Sequence, residues 1–248
     1  MKINFIFVSL LCCTLIACSP KPELTNTEFF DIMNSPIGSV DFPSSCNATA
    51  APLVERAVAL LHHMMYDEAE FLFSNALVED KNCAIAMWGR AMSKIHPLWP
   101  GNPSTQDLQE GVFLTEKGLN IDGITEREKA YLMTTHAYFT SGGSKVNRLK
   151  KFEAAWKLLS EQFSQDYEAL AFYALSHIAT ANKSDQSFEQ NQAAAKIAQK
   201  ILNANPQHPG AHHYMLHAYD VPGLAHMATQ IADSYGKITP KVPHAAHM

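Results

Sequence analysis

This 248-residue sequence contains little cysteine and little glycine, and it has no excess of positive charge. Its 19 lysine and arginine residues are outnumbered by 24 acidic ones, and the formal net charge is −5. A nucleic-acid binder needs a basic face to displace counterions from phosphates, so no such partner is expected. With only 11 glycines and 13 prolines, and with good helix formers throughout, the composition favours helices over a strand-rich sandwich or barrel.

An apolar run at residues 4–17 follows the positive charge of Lys2. It is too short for a hydrocarbon core of about 30 Å and has the form of a secretory signal segment. The run ends in Leu-Ile-Ala-Cys, which resembles the bacterial lipobox, with Cys18 as the cysteine. The resemblance implies a signal peptide over 1–17, lipidation of Cys18 and, because Ser19 follows, an outer-membrane lipoprotein facing the periplasm. The alternative is an ordinary signal peptide with an incidental cysteine.

Residues 18–47 contain four prolines and little periodicity, which predicts a flexible tether. Once the signal is removed and Cys18 is lipidated, Cys46 and Cys83 are the cysteines left for the folded part. There is no C-x2-C pair to suggest structural zinc, and an oxidising envelope favours a disulfide between them. Two buried, inert thiols are the alternative.

A 34-residue unit at residues 50–83 carries small and aromatic residues at regular positions. Positions 8, 17, 20, 24 and 27 of the unit are Ala57, Tyr66, Ala69, Phe73 and Ala76. The pattern resembles the tetratricopeptide repeat, in which the alanines let paired helices approach and the phenylalanine packs toward the next pair. Lys81 stands where the repeat usually has proline.

Capping residues and prolines predict a series of further helices. Ser104 and Thr125 are N-cap candidates, and proline precedes or opens several helices. The predicted ranges are about 83–94, 104–120, 125–140, 148–163, 166–181, 187–204, 209–219 and 222–236. We therefore expect an all-α, tetratricopeptide-like α-solenoid of antiparallel helix pairs over residues 48–248, preceded by the signal peptide and the tether.

Four segments resemble a more specific group, a bacterial family of tetratricopeptide-like envelope proteins. These segments are 86–92, 96–99, 209–214 and 216–219. The likeness covers about 46–248 and implies a solenoid, without implying an activity. In that family the motif matching 243–248 continues with Pro-Ser-His, so we expect this sequence to be truncated at its C-terminus.

Nucleotide-binding, nucleophile-elbow and H-E-x-x-H motifs are absent from the sequence. No catalytic residue is predicted, and an enzyme is less expected than an interaction module. A repeat array of this kind usually binds a protein or peptide in its concave groove. The candidate groove residues are His62, His63, His212 and Tyr214, and the predicted link to the membrane is the lipid anchor.

Seven of the 12 histidines lie between residues 208 and 247. His213 and His217 are spaced i, i+4 on one predicted helix, and His244 and His247 are spaced i, i+3 about one repeat later. Such spacing lets imidazoles meet a single ion, so these four residues are candidate ligands for a divalent transition metal. The alternative is that they are polar groove and packing residues, because no carboxylate or cysteine nearby in sequence completes a ligand set.

Overall fold

A computed structural model describes residues 26–248. They divide into two compact units, the first ending at Met33 and the second comprising Asn34–Met248. Within the described residues the secondary structure is entirely helical. The helices are α1 (Asn26–Asn34), α2 (Ala51–His62), α3 (Tyr66–Glu79), α4 (Ala84–Met92), α5 (Thr105–Leu119), α6 (Glu126–Thr140), α7 (Lys145–Gln162), α8 (Tyr167–Ala179), α9 (Glu189–Ala204), α10 (Pro209–Tyr219), a 3₁₀ turn (Ala225–Met227), α11 (Thr229–Ile238) and α12 (Pro243–His247).

Side-chain caps fix the start of α5 and α6 as the sequence predicts. Ser104 accepts a hydrogen bond from the backbone N–H of Asp107, whose carboxylate accepts one from the Ser104 N–H in return. Thr125 and Glu128 form the same capping box at α6. Each box satisfies backbone donors that a helix N-terminus otherwise leaves unpaired.

Aromatic rings fill the centre of the second unit, where consecutive helices pack side by side. Trp88 of α4 is fully buried, with its ring centroid 5.0 Å from that of Tyr131 and 5.7 Å from that of Phe172. Phe73 of α3 meets Trp88 edge-on at 6.2 Å, as expected for a residue that packs toward the next helix pair. Helices far apart in sequence therefore share one core.

The segment before α2 differs from the predicted tether. Ile37, Val40 and Phe42 are buried, and the ring centroid of Phe42 lies 5.8 Å from that of Trp88. Burial of these apolar side chains stabilises a packed conformation of this segment. The proline-rich composition did not indicate this packing. The predicted disulfide is confirmed: Cys46 is bonded to Cys83, with Cα atoms 4.8 Å apart, at the start of α4.

The C-terminal region also differs from its prediction. A single helix was expected over 222–236, but a 3₁₀ turn precedes α11, which begins at Thr229. The chain passes close to another segment at Gly223, where a Cβ atom would lie 2.5 Å from the Phe188 ring.

Within residues 26–248, no helix has the length and apolar character needed to cross a bilayer.

Candidate metal centre

Three histidine side chains from two helices converge at the C-terminal end of the second unit. His213 and His217 project from successive turns of α10, and His244 comes from the first turn of α12. Their candidate ligand nitrogens all lie within 4.8 Å of one another. The Nε2 atoms of His213 and His217 are 3.0 Å apart. Two nitrogens bound to one tetrahedral zinc ion lie about 3.3 Å apart, so small adjustments suffice to place an ion between them.

The hydrogen bond made by His213 determines which of its nitrogens faces the other two histidines. Its Nδ1 lies 2.6 Å from the backbone carbonyl oxygen of His62. A carbonyl only accepts, so Nδ1 carries the proton and Nε2 presents a lone pair. Metal-binding histidines are commonly oriented in this way by a hydrogen bond from the other ring nitrogen.

Burial keeps His213 and His217 in the neutral form that metal coordination requires. It is the main cause that holds the pKa of His213 well below its ordinary value, and the neighbouring His217 lowers it further. Burial also lowers the pKa of His217 to about 4, with His244 adding to the shift and Asp220 opposing it. Both rings are therefore neutral near pH 7. Nε2 of His217 donates to the unprotonated Nε2 of His213 in the metal-free protein, so its proton would move to Nδ1 when the ring binds a cation.

Tyr235 of α11 packs against one ring of this cluster, that of His213. Its ring stacks on that of His213, with centroids 5.4 Å apart. Its hydroxyl lies 2.7 Å from Nδ1 of His63, whose Nε2 donates to the Ile37 carbonyl oxygen at 2.9 Å. Because Nε2 of His63 carries the proton, Tyr235 donates to Nδ1. α2, α10 and α11 are thereby connected around the candidate metal centre.

A second buried cluster contains His62, Glu168 and His208. Nε2 of His62 lies 2.6 Å from Oε2 of Glu168, and Nδ1 of His62 lies 2.9 Å from the Tyr214 hydroxyl. Nε2 of His208 lies 3.2 Å from Oε1 of Glu168, which also accepts a hydrogen bond from the backbone N–H of Asp41. All three members of the cluster are at most 1% exposed.

The hydrogen bonds of this second cluster disfavour a metal ion. Nδ1 of His208 accepts a hydrogen bond from the backbone N–H of Ala211, so the neutral ring carries its proton on Nε2, the nitrogen that faces Glu168. A metal ion bound to Nε2 would move this proton to Nδ1. The Nδ1–H of His208 and the backbone N–H of Ala211 would then be two donors facing each other. We therefore interpret His62, Glu168 and His208 as a hydrogen-bonded charge cluster.

The carboxyl group of Glu168 is ionised in this setting. Burial alone would raise its pKa, but the attraction of His208 and the hydrogen bonds from His208 and His62 outweigh burial and lower it. Burial is also the largest influence on His62, and it lowers the pKa of that ring. Glu168 thus places a negative charge in the interior, stabilised by N–H donors.

The structure brings some of the predicted site residues together and places others elsewhere. His213, His217 and His244 come together, whereas the side chain of His247 lies outside the described part of the structure. The four candidate groove residues are 0–5% exposed, so they contact the protein interior and the groove stays a prediction. The Nε2 atom of His212, for example, lies 2.9 Å from the Pro206 carbonyl oxygen. Cys18, the predicted lipidation site, is also outside the described residues.

The sequence reasoning did not single out Glu168, His208 or Tyr235. Glu168 lies in the first turn of α8, where an acidic residue is ordinarily explained by the helix dipole. His208 is the N-cap of α10, a position without a distinctive signal for histidine. Tyr235 is one of eight tyrosines, and nothing in the sequence marks it as a partner of a histidine. Only the tertiary fold shows that these residues contact His62, His63 and His213.

Comparisons with protein-family models, with curated proteins and with solved structures give no match for this chain.

Proposed function

We propose that the protein binds a divalent transition metal through His213, His217 and His244. The observation that carries this proposal is the convergence of their ligand nitrogens within 4.8 Å. It is supported by the tautomer of His213, which directs a lone pair toward the other rings. The lowered pKa values of His213 and His217 favour the neutral, metal-binding form.

The ligand type restricts the choice of ion. Imidazole nitrogen suits zinc, copper, nickel and cobalt, whereas calcium and magnesium prefer oxygen ligands. Three imidazoles would leave a further coordination position of a tetrahedral ion for water, for His247 or for another ligand. The proposed occupant is therefore an ion of the zinc type, bound without thiolate.

We also infer that the helix pairs from α2 onward form a tetratricopeptide-like solenoid on an envelope lipoprotein anchored through Cys18. Consecutive helices pack as neighbours, and the contact between Phe73 and Trp88 supports this arrangement. The lipobox-like sequence supports the anchor and a periplasmic location. A protein or peptide partner remains the second candidate function, supported by the repeat pattern alone.

The metal proposal is tested by calorimetric titration of the metal-free full chain with zinc. We expect one ion per chain in the parent protein. In a variant carrying His217→Gln and His244→Gln, we expect an affinity at least 100-fold lower, because two of three ligands are lost. These two rings are partly exposed, so their replacement disturbs the core less than replacement of His213.

The matched control is His226→Gln, which changes an exposed histidine in the 3₁₀ turn. Zinc affinity should be the same in this variant as in the parent. If the double variant also retains parental affinity while its circular dichroism spectrum shows native helix content, the proposed ligand set is wrong.

A further inference from the structure

The C-terminal segment of the second unit, residues 221–248, is attached to the rest of the fold through few buried side chains. Among its described side chains, the buried ones are Tyr235, Thr239, Val242 and Ala245. None of the three residues of the 3₁₀ turn is buried, and Tyr235 is the one buried residue of α11. In α10, by contrast, nine of the eleven residues are buried. The C-terminal segment therefore gains much less stabilisation from apolar burial than α10 does.

A cavity of about 450 Å³ adjoins α11. Gln199 and Leu202 of α9 line it, together with Gln230, Ile231 and Lys237 of α11. Closely packed protein interiors leave few voids larger than a water molecule, so α9 and α11 are not tightly packed around this space. α11 is thus held mainly through its contact with α10.

Tyr235 makes the buried contact of α11 with α2 and α10. Its ring stacks on those of His63 and His213, with centroid distances of 5.6 and 5.4 Å. Its hydroxyl donates to Nδ1 of His63. An element held by so few buried groups opens locally at a lower free energy than the core helices do.

The contact between α12 and α10 includes the candidate metal ligands. The ring centroid of His244 lies 4.8 Å from that of His213 and 6.2 Å from that of His217. His213 and His217 both belong to α10, whereas the 3₁₀ turn and α11 lie between His217 and His244 in the chain. An ion bound by all three rings would therefore cross-link α12 to α10 and close the loop that contains α11.

We propose that metal binding controls the docking of the C-terminal segment. With the ion bound, α11 and α12 stay closed on α10, and without it they open and close together. The proposal rests on the metal centre proposed above and adds a regulatory role for it. Opening withdraws His244 from the site and uncovers the rings of His63 and His213, which are fully buried in the closed form. Because the open form offers at most two of the three imidazoles, the ion favours the closed form by the ratio of its two affinities.

Hydrogen exchange of the full chain, measured by mass spectrometry with and without zinc, tests this clamp. At a zinc concentration about 100 times Kd, we expect the amides of α11 and α12 to exchange about 10- to 100-fold more slowly, the upper limit applying if the open form binds no zinc. The amides of α6 lie outside the clamp and should exchange at the same rate in both samples. Equal slowing in α6 and α11 would show that the ion stabilises the whole fold, and it would overturn the clamp.

Two variants separate the clamp from ordinary packing. His244→Gln leaves His213 and His217 on α10, so zinc should bind more weakly and, even when it saturates these two ligands, should no longer slow exchange in α11. Tyr235→Phe keeps the stacked ring and loses the hydroxyl that donates to His63. In this variant α11 should exchange faster both with and without zinc, and the slowing by zinc should remain. Slowing that persists in His244→Gln, or that is lost in Tyr235→Phe while zinc is bound, contradicts a clamp made by His244.

Calorimetric titration of the same samples distinguishes a failure of the clamp from a failure of the metal centre. If zinc binds to the parent protein and the exchange of α11 and α12 stays unchanged, the metal centre stands and the clamp is wrong. If zinc does not bind, the metal centre proposed above is wrong and the clamp is excluded with it.

Discussion

The Nδ1 atom of His213 donates a 2.6 Å hydrogen bond to the backbone carbonyl oxygen of His62, 151 residues earlier in the chain. This contact joins α10 to the C-terminal end of α2 and fixes the lone pair of His213 toward His217 and His244. The ring of His62, in turn, reaches Glu168 and Tyr214. A single residue of α2 therefore positions both the candidate metal centre and the buried charge cluster.

Gly210→Ala should damage this arrangement. A Cβ atom at position 210 would lie 2.5 Å from Nδ1 of His62, whose ring is stacked on that of Phe172 with centroids 4.4 Å apart. We expect the free energy of unfolding to fall by about 1–3 kcal/mol, as is typical of overpacking. Zinc affinity should fall as well, because the His62 carbonyl that orients His213 is displaced. Urea denaturation and calorimetry measure the two effects.

Gly236→Ala is the matched control. It lies in α11, and apart from the adjoining residues and backbone of its own helix, no heavy atom of residues 26–248 lies within 4 Å of the position its Cβ would occupy. Alanine favours a helix over glycine by about 0.5–1 kcal/mol, so this variant should be at least as stable as the parent. Equal destabilisation by both substitutions would refute the role assigned to Gly210.

Removal of the disulfide should destabilise the fold. Cys46 and Cys83 close a loop with a sequence separation of 37 residues. The chain-entropy relation predicts a loss of about 3–4 kcal/mol in the free energy of unfolding for Cys46→Ser with Cys83→Ser. Urea denaturation of the parent and the double variant gives the comparison. An unchanged unfolding midpoint would show that other contacts of residues 37–47 suffice to hold this segment.

Stability should decline as pH falls from 7 to 5, in the metal-free protein. Burial lowers the pKa of His63 to about 3 and that of His217 to about 4, from 6.5. Below pH 6.5 the unfolded chain therefore binds protons that the folded chain excludes, and the folded state loses stability as pH falls. Each such histidine contributes at most about 1.4 kcal/mol per pH unit. Constant urea midpoints between pH 7 and pH 5 would contradict the burial of neutral histidines.

Much of the helical organisation was predictable because its signals are local. The N-caps Ser104 and Thr125 are recognisable from three neighbouring residues, and the structure confirms the helices they begin. The disulfide followed from eliminating the other cysteines. The packed segment at residues 37–47 was not predictable, because Phe42 is buried by Trp88 and Tyr131, which are distant in sequence.

The candidate metal centre was predictable only in part. The i, i+4 spacing of His213 and His217 places both on one helix face, and the repeat length indicated that His244 would be near. The contribution of His62 and the ionised state of Glu168 depend on contacts between α2, α8 and α10. Such contacts have no signature in sequence spacing.

X-ray absorption spectroscopy of the zinc-loaded full chain tests the central claim most directly. We expect imidazole nitrogens at about 2.0–2.1 Å from the ion, at least three of them, and no sulfur ligand. The spectrum should lose its imidazole scattering in the variant carrying His217→Gln and His244→Gln and keep it in His226→Gln. A first shell of oxygen atoms alone, or an imidazole signal unchanged in the double variant, would contradict a metal centre formed by His213, His217 and His244.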